Sequence, residues 1–136
     1  MQPVDYLDAH ERHWEDAELL LGHARVANAD HLFGMSAECG LKHVMHRAGY
    51  LVLASGMPQH KEDRGHADAY WTRYVTLASG KSVPVLHTDN PFTGWSVHQR
   101  YAPRTVVTAA AVETHRRGAA TVRALVREHL ISGGAP

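Results

Sequence analysis

From Ala29 to Ala48 the chain sets small or apolar residues at three- and four-residue steps: Ala29, Leu32, Phe33, Ser36 and Ala37, Gly40 and Leu41, Val44 and Met45, then Ala48. That period is helical, and no other stretch shows the two-residue alternation with hairpin turn chemistry that paired strands need. The segment reads as a helix that starts near Asn28 and is stopped by Gly49. A helix with so broad an apolar side has to be covered by other helices, which constrains the fold class before anything else is considered.

Three further helices fit the remaining pattern. The first takes Asp5 as its N-cap and carries Leu7, Trp14, Ala17, Leu20 and Leu21 on one side, ending between Gly22 and Arg25, with Asp8, Glu11, Glu15, Asp16 and Glu18 outside. Its short connection to the second makes the two antiparallel neighbours. After the turn-rich stretch that ends at Gly65, HADAYWTRYVTLAS forms a third helix, and a long last helix runs from about Thr108 to Leu130 before SGGAP. Between Ser79 and Arg104 nothing is periodic. A loop that long in a compact domain is usually functional, and it holds Phe92, Trp95, Arg100, Tyr101 and Arg104. The expected architecture is all-α, an up-and-down four-helix bundle with a long irregular loop before the last helix. At 136 residues it makes a single domain.

Charge adds a second constraint. The chain holds 14 Lys and Arg, 14 Asp and Glu and 12 His, for a formal net charge of zero, which argues against indiscriminate capture of polyanions. Resolved along the chain the balance is uneven: residues 1–49 carry eight acids against four bases, residues 99–136 two acids against six arginines. Arg116, Arg123 and Arg127 form a ridge on the last helix that is expected to pair with Glu11, Glu15 and Glu18 of the first. The single cysteine, Cys39, excludes an intrachain disulfide and a multi-cysteine zinc site. No apolar run has the length of a membrane span, and the acidic, polar start is unlike a signal peptide, so a cytoplasmic protein is expected.

The second helix shows more than packing. His31, Glu38 and Lys42 fall within about 20° of one line along it, opposite the apolar series, with Met35 and Met45 alongside. As a solvated face this stripe would hold only an i,i+4 ion pair worth a few tenths of a kcal/mol. The bordering methionines suggest instead that the long loop or a second subunit covers it. Glu38 would then need a cation, with the arginine-rich C-terminal third as the supplier. Trp95, Phe92 and Tyr101 either stack on a base or pin the loop to the bundle. His10 with His13, and His43 with His46, have metal-compatible i,i+3 spacing, but scattered surface histidines explain them better, so no metal and no cofactor is expected. His115 and His129 fall near the apolar arc of the last helix, where core or interface roles are commoner than ligation. No P-loop, dinucleotide fingerprint or nucleophile elbow occurs: Gly80-Lys81-Ser82 lacks the first glycine and a preceding strand.

The stretch from Arg12 to Met45, with His31-Leu32, Ala37-Glu38 and Leu41-Lys42 in its second helix, resembles the first helix pair of the HEPN (higher eukaryotes and prokaryotes nucleotide-binding) family. NPFTGWSVHQRY, before the last helix, resembles a bacterial branch of it. The resemblance implies a helical bundle, commonly a homodimer. Many members are metal-independent endoribonucleases whose Arg-x(4-6)-His signature near the start of the last helix supplies a base or acid and a phosphorane-stabilising cation. Here Arg100 and Arg104 are followed only by His115, while Arg123 and His129 lie late in the helix and about 120° apart. The candidate catalytic residues are therefore His31, Glu38 and Arg100, with Lys42, Trp95, Tyr101 and Arg104 as binding residues. The expected function is action on, or binding of, RNA or a nucleotide, as a toxin-type ribonuclease in its most concrete form. The alternatives are a non-catalytic binding or scaffold module for a toxin–antitoxin or enzyme partner, and an enzyme clamping a small anionic metabolite between Arg100 and Arg104.

Overall fold

The computed structural model describes residues 3–50, 55–87 and 89–131. Helix α1 (Tyr6–Gly22) begins where the Asp5 carboxylate accepts from the Asp8 amide at 3.0 Å, the cap expected from sequence. A tight turn ends it, with Ala24 at a φ of 60°. That left-handed backbone costs a side-chain-bearing residue about 1 kcal/mol. Helix α2 (Val26–Arg47), α3 (Ala67–Ala78) and α4 (Ala109–Ile131) follow, so all four expected helices are present and no strand occurs among the described residues. The SGGAP end lies beyond the described residues.

Helix α2 is the hub. Phe33, Ala37, Leu41, Val44 and Met45 are all enclosed, but so are Asp30, Ser36, Glu38 and Lys42, so this helix is covered on nearly every side. α1 lies antiparallel to it. His10 Nδ1 donates to the Ser36 carbonyl at 2.7 Å, the Ser36 hydroxyl donates to the His10 carbonyl at 2.8 Å, and Trp14 meets Phe33 edge-on at 5.4 Å. α4 packs on another side and runs with α2, since Asp30 meets His115 and Gly40 faces Val122. α3 also pairs upward along α2, His66 meeting Glu38 and Tyr70 lying by Lys42. The all-α class is as expected.

The long loop is part of the core. Phe92 and Trp95 are buried within it, and a Cβ on Gly34 would lie 2.1 Å from the Trp95 indole, so that ring rests directly on bare α2 backbone. Two 3-10 turns, Val97–Tyr101 and Arg104–Val106, organise its end. The first is held by a capping box in which the Ser96 hydroxyl and the Gln99 side chain each accept from the other residue's end of the turn. Of the charge ridge, Arg116 bridges Glu18 at 2.6 Å as expected, whereas Arg123 lies over the Trp14 ring at 4.8 Å. His115 and His129 are buried, in keeping with the apolar arc on which they sit. No helix among the described residues is long and apolar enough to cross a membrane.

Candidate functional site

Helix α2 starts without an N-cap. Arg25 holds that position, its side chain makes no capping bond, and no acid stands in the first turn. The amides of that turn and the positive end of the helix dipole are left facing outward. The loop turn carrying Gln99, Arg100, Ala102 and Arg104 stands opposite, and a cavity of about 380 Å³ lies between. Three arginines and no carboxylate line it.

The opposing wall is fixed from beneath by Asp30, one turn into α2. Its Oδ2 accepts from Gln99 Nε2 at 2.6 Å, its Oδ1 from His115 Nδ1 at 2.6 Å, and its carbonyl from the Trp95 indole at 3.1 Å. His115 in turn stacks on Phe92 at 5.5 Å. One buried carboxylate thus ties the turn that presents Arg100 to both α2 and α4. Asp30 is buried with every acceptor atom used, the arrangement that makes an enclosed charge tolerable.

Of the residues expected from sequence, Arg100 and Arg104 line this cavity, Tyr101 adjoins Arg100, and His31 is not among the lining residues. His31 is half-buried and stacks flat on Trp95 at 5.8 Å, with a buried Nδ1 that has no hydrogen-bond partner. Burial, and then the nearby Arg100 guanidinium, hold its pKa below the ordinary imidazole value. The ring is therefore neutral at neutral pH and able to accept a proton. Arg100 is exposed, its guanidinium 5.0 Å above the Tyr101 ring, and Tyr101 is 77% exposed. Trp95 is a different matter. At 1% exposure it is a core residue supporting His31, not a platform open to a base, because its indole fills the space over Gly34 and its N–H is already spent on Asp30.

Glu38 lies about 10 Å, and Lys42 about 16 Å, beyond His31 along α2. Glu38 Oε2 accepts from Lys42 Nζ at 2.8 Å and Oε1 from His66 Nδ1 at 3.0 Å. The ammonium also sits 5.2 Å from the Tyr70 ring and 5.8 Å from Tyr6. At 5% and 4% exposure neither residue reaches a ligand directly. The stripe is covered, as the methionines suggest: at His31 by Trp95 of the long loop, as expected, but at Glu38 and Lys42 by α1 and the start of α3. Its cation comes from Lys42 and His66, not from the arginine-rich third: the i,i+4 step already delivers an ammonium to the buried carboxylate.

Burial raises the Tyr6 phenol and the Cys39 thiol, each to about 12, so Cys39 stays an inert thiol. Among the described residues no group of three or more His, Cys, Asp or Glu side chains could hold a metal ion, so neither His10 with His13 nor His43 with His46 is joined by a third ligand. Sequence reasoning passed over Asp30 and His66. Asp30 leaves a trace, being an acid within the apolar arc of α2. His66 leaves none, since its partner is 28 residues away. No known protein family, no curated protein and no solved structure matches the chain.

Proposed function

We propose that this chain is a HEPN-like helical domain that takes the phosphates of single-stranded RNA, or of a nucleotide, into the arginine cavity at the head of α2. We further propose that it cleaves RNA without metal: His31 removes the ribose 2′-hydroxyl proton, and Arg100 stabilises the charge that grows on phosphorus. The observation that carries this reading is the cavity itself. Arg25, Arg100 and Arg104 face one another across about 380 Å³ with no acid among them, over an uncapped helix start. Like charges gathered without compensation raise the energy of the empty site and lower that of an anion-filled one. The volume falls within the range of small-ligand pockets, and the exposed Tyr101 beside Arg100 suits a stacked base.

The test is incubation of the purified chain with a mixed RNA pool in EDTA. Cleavage that is lost in Arg100→Ala and in His31→Ala is the expected result. No cleavage at any protein concentration removes the nuclease. A binding module then stands in its place, serving a second copy, a toxin–antitoxin partner or an enzyme. One observation favours that second reading: Glu38, Lys42 and Trp95 are enclosed and engaged with the fold. A HEPN-like dimer with a shared cleft belongs to the first reading, and a light-scattering mass near 15.0 kDa excludes it. If inorganic phosphate or pyrophosphate saturates the cavity and RNA does not compete, the ligand is a small anionic metabolite.

A further inference from the structure

Arg25, Arg100 and Arg104 line one cavity, and among the described residues none of the three guanidiniums has a hydrogen-bond acceptor or an ion-pair partner. Arg73, Arg116 and Arg64, by contrast, are engaged with Asp63 at 2.6 Å, with Glu18 at 2.6 Å and with the Pro58 carbonyl at 2.9 Å. Gln99, in the same wall as Arg100, offers them nothing. Its Nε2 donates to Asp30 and its Oε1 accepts from the Ser96 amide at 3.3 Å. The N-cap position of α2, where Asp or Ser commonly stands, is held by Arg25 itself.

The wall is also stiff. The Asp30 bond and the capping box fix the turn that carries Arg100, and Pro103, with its ring-restricted φ of −61°, leads directly into Arg104. Between the guanidiniums the lining is short: Ala24, Ala27 and Ala102. The cations therefore converge on space, not on protein.

We infer that the cavity receives a phosphate monoester, the phosphorylated end of an RNA strand or the phosphate of a free nucleotide, in preference to an internal phosphodiester. This rests on the phosphate-binding half of the reading above and does not need its cleavage step. An internal phosphate has one negative charge and two free oxygens, and its strand must leave the site in two directions. A monoester has close to two charges and three free oxygens, and needs a single exit. Three planar guanidinium forks match the second ligand in both charge and acceptor number. At about 380 Å³ the cavity lies at the small end of the range for enclosed small ligands, roughly 300–1,000 Å³, which suits one terminal nucleotide.

The ligand also titrates where the lining does not. No carboxylate and no imidazole lines the cavity, and His31, on which the Arg100 charge acts, is outside it. Arginine keeps its charge throughout. A monoester takes up a proton near pH 6, whereas a diester does not.

The experiment uses the full chain and fluorescent single-stranded 2′-O-methyl RNA, which has no 2′-hydroxyl with which to be cut. One sequence is made with a 5′-phosphate, a 3′-phosphate, hydroxyls at both ends, or a 5′-phosphate capped as its methyl ester. By anisotropy at pH 7.5, at least one phosphorylated end binds roughly 10- to 100-fold tighter than the hydroxyl-ended strand. The methyl cap removes most of that gain, and so does lowering the pH to 5.5. Arg25→Ala and Arg104→Ala, each checked by thermal melting, abolish the gain. Arg117→Ala, which deletes the same charge outside the cavity, leaves it intact. Competition by a nucleoside 5′-monophosphate identifies the source. Displacement at the concentration at which the phosphorylated strand itself binds makes the free nucleotide the ligand, and its failure makes it the strand end. Equal affinity for phosphorylated, methyl-capped and hydroxyl-ended strands overturns this inference and leaves the RNA reading standing. If no strand and no nucleotide binds, both fall.

Discussion

The two ends of α2 handle charge in opposite ways. Towards its C-terminal half, one carboxylate is met at 2.8 Å by an ammonium and at 3.0 Å by an imidazole, under two tyrosines, and the carboxylate and the ammonium are almost wholly enclosed. At its N-terminal end three arginines face an open cavity with no carboxylate among the lining residues. Charge enclosed and compensated is a device of the fold, whose members cost most when removed singly. Charge exposed and uncompensated contributes nothing to folding, so its presence calls for a ligand. A zero total conceals this division, because what matters is where each charge finds its partner.

That contrast can be broken most easily at Lys42. Lys42→Met leaves Glu38 buried without its ammonium and is expected to cost about 3–5 kcal/mol in urea unfolding, whereas the Glu38→Leu/Lys42→Met pair recovers most of the loss. If the single and double variants are equally unstable, the enclosed pair is not the compensated unit described. Next in size is the seam between the two ends. Gly34→Ala drives a methyl into the Trp95 indole, and a loss of about 1–3 kcal/mol is expected from the same unfolding measurement. At the open end, Arg100→Ala/Arg104→Ala should leave stability within about 0.5 kcal/mol. It should also weaken RNA at least tenfold in fluorescence anisotropy and make the salt dependence shallower by about 1 to 1.5 in log–log slope. Unchanged affinity and slope would place the ligand elsewhere.

The remaining effects are in pH. Burial depresses His10 and His46 to about 4 in the folded chain. The unfolded chain therefore binds more protons below the ordinary imidazole pKa of about 6.5. The stability these residues hold is complete above that value and is lost as the pH falls towards 4, so the urea midpoint should drop over that window. His66 runs the other way. Its folded pKa is raised, so its contribution is complete below the ordinary value and disappears as the pH climbs through the raised one. The gap in melting temperature between wild type and His66→Gln is then larger at pH 5.5 than at pH 9, and a gap that widens with pH would contradict the bond to Glu38.

Helix positions are legible in the sequence because they depend on local period and caps, as at Asp5 and along the apolar arc of α2. The stripe of His31, Glu38 and Lys42 is legible for the same reason. What covers it is not, since Tyr6, Tyr70 and His66 reach it through tertiary packing that no spacing encodes. The loop misleads in an instructive way. Its aromatic residues are as costly to leave idle as they look, but Phe92 and Trp95 spend that cost on the core, and only Tyr101 remains outside. The capping box of Ser96 and Gln99 does stand in the sequence as a Ser-x-x-Gln signal, and it marks the turn on which Arg100 is mounted.

The flat stack of His31 on Trp95 gives the protein an optical reporter of its own. An excited indole transfers an electron to an adjacent imidazolium but not to a neutral imidazole, so emission from Trp95 dims when His31 gains its proton. With Trp14 and Trp71 replaced by phenylalanine, the remaining fluorescence titrates a single histidine. Because Arg100 depresses that titration, an anion settling over the guanidinium moves the quenching midpoint to higher pH, and cavity occupancy is read as light without label or substrate.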